Sequence, residues 1–95
     1  MKSRLQTDMT HCYICGKGLY GIIDPHHIFE GTANRQKSDD DGFVVYVHRC
    51  CHTWLHNHPL SMITYKQRAQ KVFEKEIGSR EDFIKRYGKS YLTED

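Results

Sequence analysis

Apolar residues along the chain come in short bursts divided by polar stretches. Phe43-Val44-Val45-Tyr46-Val47 is the most strand-like of them, rich in β-branched and aromatic residues. An earlier burst, Ile22-Ile23 to Ile28-Phe29, is interrupted by Asp24-Pro25-His26-His27. Pro25 drives Asp24 toward extended geometry, which predicts a short strand around 26–29. Between the two bursts, residues 30–42 (EGTANRQKSDDDG) read as a loop closing on Gly42, so the strands form a long-looped hairpin. Residues 50–58 read as a short helix stopped at Pro59. From Ser61, Met62, Tyr65, Ala69, Val72, Phe73 and Ile77 recur at helical spacing, with Gly78 at the C′ position. Ser79-Arg80-Glu81-Asp82 fits a capping box for a last helix over 80–87, ended by Gly88, with Tyr91 and Leu92 folding back. Residues 1–10 are polar and predict a flexible N-terminal extension ahead of one domain over 11–95.

At 95 residues the chain has room for one small domain with a thin core. Its apolar runs fall far short of the ~20 residues that cross a bilayer. The start, Met1-Lys2-Ser3-Arg4-Leu5, lacks the apolar core of a secretory signal, which leaves the cytoplasm as the default location. Fourteen Lys and Arg against twelve Asp and Glu give +2, a balance that permits a polyanion partner without arguing for one. Four Cys and seven His change the picture more. In a reducing compartment disulfides are disfavoured, and a Cys/His-rich small domain reads as metal-binding. A metal would also supply stability that a thin core lacks.

The His and Cys residues cluster at Cys12/Cys15, at His26/His27 and over residues 48–58. Cys12-x-x-Cys15 needs a second ligand pair, either His48 with Cys51 or Cys50 with Cys51. Spacing favours His48-x-x-Cys51, because neighbouring residues chelate a tetrahedral ion poorly. No βαβ pattern surrounds Cys12-x-x-Cys15, which argues against a redox motif. His52 and His56 stand four apart on the expected helix, so both rings leave one face and can share a divalent ion. His26 and His27 are adjacent on a strand, where side chains point to opposite faces. One ring can bind a metal while the other addresses a substrate. That division suits metal-assisted hydrolysis, with a neutral His deprotonating the attacking water. The basic residues of the helices, Lys66, Arg68, Lys71, Lys75, Lys85, Arg86 and Lys89, fit ordinary solvated faces. Arg35 and Lys37 flank the expected site and are better placed to contact phosphates. Trp54 reads as core.

Asp24-Pro25-His26-His27-Ile28, a polar connection, a strand and Cys51-His52-x-x-x-His56 resemble the HNH (His-Me finger, ββα-metal) endonucleases, in particular the small phage and prophage type with a zinc knuckle. Residues 26–35 and 83–92 are also similar to that type, and the resemblance spans roughly 11–92. It implies a small α+β fold, a ββα-metal finger with a structural zinc knuckle and C-terminal helices. It implies a phosphodiester hydrolase acting on DNA in phage or prophage DNA processing or recombination, within the bacterial host cytoplasm. By position, His27 matches the general base. His26, His52 and His56 match ligands of a catalytic divalent ion, Mg²⁺ or Mn²⁺, with Zn²⁺ or Ni²⁺ as alternatives. Cys12, Cys15 and Cys51 match structural zinc ligands, with His48 where most members carry Cys, Cys50 as its rival, and His58 competing with His56. The family's middle Asn has no counterpart at Gly42-Phe43, and Asn34 lies too far upstream to be assigned. The implied partners are DNA and a recombination or packaging protein, with no membrane. The alternative is a non-catalytic zinc-stabilised DNA- or protein-binding module. A knuckle needs four ligands, so His26, His27, His52 and His56 are surplus to it and favour the nuclease.

Overall fold

The computed structural model describes residues 3–92. Two antiparallel strands, β1 (Ile23–His27) and β2 (Val44–His48), pair in the register Ile23 to His48 through His27 to Val44. Four helices complete a small α+β fold: α1 (Thr32–Asp41) between the strands, then α2 (Arg49–His56), α3 (Pro59–Glu76) and α4 (Arg80–Tyr87). β1 begins three residues earlier than the expected 26–29 and runs through Pro25. A two-stranded sheet has only edge strands, the setting that tolerates a missing N–H. β2 is fully buried at Val44, Val45 and Val47.

Residues 30–42, expected as a loop, contain the ten-residue helix α1. It has no apolar stripe, and Ser38 is its one buried residue. Hydrogen bonds seat it instead. The Ser38 hydroxyl accepts from the Phe29 N–H at 3.0 Å and donates to the Phe43 carbonyl at 3.1 Å, tying the helix to both strand ends. Lys37 Nζ donates to the Arg86 carbonyl at 2.7 Å, so its charge meets the negative end of α4. The acceptor Asp41 joins the same helices, taking Tyr87 Oη and Arg86 Nε at 2.6 Å each.

α3 starts at Pro59, two residues before Ser61, with Pro in its first turn, where a missing N–H is harmless. Ala69 and Phe73 are buried as the periodicity expects, whereas Ile77 is 39% exposed. Gln70 is buried outside that pattern, bonded to Glu74, Ser90 and the Tyr91 N–H. α4 has the expected capping box, with the Asp82 N–H donating to Ser79 Oγ and the Ser79 N–H to Asp82 Oδ2. Gly78 does not adopt positive φ; a Cβ there would lie 2.7 Å from Asp82 Oδ2, so the capping box itself requires a glycine. The core is aromatic. Phe29 stacks against Tyr87 (ring centroids 4.2 Å apart) and meets Phe83 at 5.3 Å, with Phe43 and Phe73 completing the cluster.

Residues 3–10, expected as a flexible extension, dock on the outer edge of β2. Gln6 is 5% exposed. Its side chain accepts from the Tyr46 N–H at 2.7 Å and donates to the Tyr46 carbonyl at 3.2 Å, as a neighbouring strand would. Arg4 donates to the Asp41 carbonyl and pairs with Glu76. Among the described residues no helix is long and apolar enough to cross a membrane.

Candidate metal centres and active-site cleft

Two groups of side chains converge, each with ligand atoms within 4.8 Å of one another: Cys12, Cys15, His48 and Cys51, and His26, His52 and His56. The first is built by a tight turn. The Cys12 N–H donates to the Lys17 carbonyl at 2.8 Å and the Gly16 N–H to the Cys12 carbonyl at 2.9 Å. Gly16 sits at φ +76, a conformation that favours glycine. β2 runs into α2 without a loop, which brings His48 and Cys51 to the same turn. His48 is 5% exposed. Its Nε2 lies 3.1 Å from the Gly18 carbonyl oxygen, which can only accept. Nε2 therefore carries the proton, and Nδ1, 3.4 Å from Cys15 Sγ, presents its lone pair to the thiols. Cys50, the rival to His48, is exposed and lies outside the group.

The thiols compete for negative charge. Burial alone would raise Cys12, but N–H groups of Cys15, His48 and Ile14 outweigh it and bring the thiol down to about 7. Burial, then hydrogen bonds with Cys12 and Cys15, pushes Cys51 up to about 12. A divalent cation would relieve that conflict, so these four residues could hold a metal ion.

The second group joins β1 to α2. His26 is 4% exposed, and its ring lies 5.2 Å from that of His52 and 6.1 Å from that of His56, centroid to centroid. His52 Nε2 and His56 Nε2 are 3.1 Å apart on successive turns. Burial, and then the neighbouring His52 and His56, hold His26 down to about 4, so near neutral pH its ring is uncharged and could serve as a ligand. His58 turns away, its Nδ1 2.6 Å from the Trp54 carbonyl oxygen, and does not compete with His56. Trp54, expected in the core, is 44% exposed and stacks on the His58 ring at 3.9 Å. The buried position of this short helix goes to Leu55.

His27 leaves β1 on the other side. Its Nε2 is 3.7 Å from Asp39 Oδ1, a buried oxygen without a hydrogen-bond partner among the described residues. Burial, then Arg35, lowers its pKa, with Asp39 opposing. An open cleft of about 550 Å³ is lined by His27, Gly31, Thr32, Arg35, Gln36 and Asp39. A second cleft, of about 300 Å³, holds His26, His52, His56 and Glu30, and His27 and Arg35 line it as well. Those two residues stand where the clefts meet. Lys37 lines neither, being turned to the end of α4. Asn34 also faces that helix, 3.5 Å from the Tyr87 carbonyl oxygen.

Sequence reasoning passed over two carboxylates. Asp24 lies against His52 and Arg49, whose hydrogen bonds, Arg49 first, hold its carboxyl down at about 2. Asp39 was hidden because residues 30–42 did not read as a helix that would carry it to His27. No protein-family model, curated protein or solved structure matches the chain.

Proposed function

We propose that the protein is a metal-dependent DNA endonuclease of the HNH (His-Me finger, ββα-metal) type. One observation carries this reading: a three-histidine group, surplus to the Cys₃His group, stands beside a histidine that shares a cleft with an arginine. The antiparallel β1–β2 pair followed directly by α2 supports the ββα reading.

Cys12, Cys15, His48 and Cys51 form a donor set suited to a closed, structural zinc. His26, His52 and His56 leave coordination positions open, as a catalytic ion needs. When bound there, a divalent ion would neutralise charge on a phosphoryl oxygen and the leaving group. The nitrogen-only donors favour Mn²⁺, Ni²⁺ or Zn²⁺ over Mg²⁺, which prefers oxygen. His27 takes the proton of the attacking water, a role its lowered pKa serves by keeping the ring neutral. Arg35, at the junction of the clefts, meets the phosphate. Lys37 has no such role, because its ammonium is committed to the Arg86 carbonyl.

The test is plasmid nicking by the full chain, in EDTA and after adding back Mg²⁺, Mn²⁺, Ni²⁺ or Zn²⁺. Nicking that stops in EDTA and returns with Mn²⁺ or Ni²⁺ is expected. DNA binding without cleavage in any of the four metals would overturn the reading in favour of a zinc-stabilised binding module.

A further inference from the structure

Asp24 and His26 are two apart on β1, so their side chains leave the same face of the strand toward α2. The Asp24 side chain is only 17% exposed. Arg49, the first residue of α2, grips it with Nε 3.2 Å from Oδ2 and Nη2 3.0 Å from Oδ1. The same Oδ2 lies 3.1 Å from His52 Nδ1. A carboxylate gripped by a guanidinium is an acceptor, so the His52 proton sits on Nδ1. Nε2 is then the lone-pair nitrogen, and it is the His52 atom that faces the group, 3.1 Å from His56 Nε2.

Resting on the reading that His26, His52 and His56 hold a divalent ion, we propose that Asp24 is the positioning residue that fixes His52 as an Nε2 ligand, with Arg49 holding Asp24 in place. Asp24 touches neither the ion nor the substrate in this role. It sets the tautomer and aims the ring, and it raises the basicity of the coordinating nitrogen. Groups in this position typically govern 10–100-fold in metal affinity. The arrangement also explains why α2 begins with an arginine. Arg49 follows β2 and bonds across to Asp24 on the paired strand β1.

Two measurements on the full, zinc-loaded chain test this. In the wild-type protein without added divalent ion, long-range ¹H–¹⁵N NMR should report the His52 proton on Nδ1. Mn²⁺ alone should then bind at a site lost in His52→Ala. Asp24→Asn should weaken Mn²⁺ about 10–100-fold and shift the His52 tautomer, because an amide can turn its N–H₂ toward the ring. Its zinc content and helical circular dichroism should match wild type. A His52 proton on Nε2 in the wild type would overturn the proposal, even if Asp24→Asn fails to fold. Wild-type Mn²⁺ affinity in a folded Asp24→Asn protein would overturn the role of Asp24 alone. A wild-type chain that takes up no Mn²⁺ or other divalent ion at the histidines would overturn the ion reading, and this proposal with it.

Discussion

His26 and His27 are covalent neighbours with separate surroundings, and the pleat of one strand is enough to separate them. His26 faces two further rings and is nearly without solvent, whereas His27 faces Asp39, Arg35 and the open cleft. Their variants should therefore fail differently. His27→Ala is expected to cut nicking roughly 10²–10⁴-fold, the usual effect of losing a general base, with Mn²⁺ affinity unchanged. His26→Ala or His52→Ala should instead demand more Mn²⁺, because a ligand is gone. A pH profile adds an independent check. Burial and Arg35 lower the His27 pKa, so its neutral form persists below the ordinary value of about 6.5. The acid limb of the nicking rate should therefore lie below that value, with the rate falling as pH drops further. An acid limb above pH 7 would remove His27 as the base. Cys12, Cys15, His48 and Cys51, and the pair His52 and His56, were legible from spacing, because residues that could share an ion must recur at intervals that converge, whereas the choice of His26 over His27 came from the family resemblance. Asp24 was not, since a carboxylate beside a histidine in sequence says nothing of which ring it will reach across the sheet. Trp54 was misplaced because size and apolarity predict burial on average, while adjacent side chains leave a helix about 100° apart and it is Leu55 that faces inward.

At the scale of elements, β2, α3 and α4 follow from apolar periodicity and caps, and each has an apolar side that must be covered. α1 escapes such reasoning. Its sequence, TANRQKSDDD, is polar all round, and it is held by what Ser38 and Lys37 bond to at distant points of the chain. Those partners are invisible until the fold exists. Residues 3–10 escape for the same reason, since one glutamine does the work of a strand edge. Ser38 is therefore expected to matter more than its chemistry suggests. Ser38→Ala leaves the buried Phe29 N–H without its acceptor and should cost about 1–3 kcal/mol. The Phe43 carbonyl keeps a second donor, the Ile28 N–H at 3.0 Å, so its loss is smaller. Asp40→Ala on the exposed side of the same helix should stay within about 0.5 kcal/mol. Urea unfolding of both variants checks the contrast. Equal stabilities would mean that α1 is seated by something other than Ser38, and the placement of Arg35 and Asp39 would need another explanation.

For the whole molecule, the two Cys/His groups that could hold a metal sit at different junctions. The Cys₃His group ties the knuckle at residues 12–18 to the β2–α2 joint, while the three histidines tie β1 to α2. The Cys51 thiol, pushed up to about 12 by burial and by Cys12 and Cys15, gains most from a cation, and structural zinc contributes on the order of 10 kcal/mol of apparent binding energy. Three imidazoles, one of them exposed at His56, gain far less and leave room for exchange. Metal should therefore leave in two stages. Rising EDTA should abolish nicking first, with helical circular dichroism intact and about one zinc per chain retained by elemental analysis. Only stronger chelation, or Cys12→Ser with Cys15→Ser, should remove the zinc, and the helical signal should fall with it. Mn²⁺ should restore nicking after the first stage and not after the second, because α2 then no longer presents His52 and His56 to His26. Activity and helical signal lost together at every EDTA concentration would mean that a single ion serves both purposes. A zinc-free double variant that stays fully folded would mean that the aromatic core suffices, and the cysteines would need a role other than holding the fold.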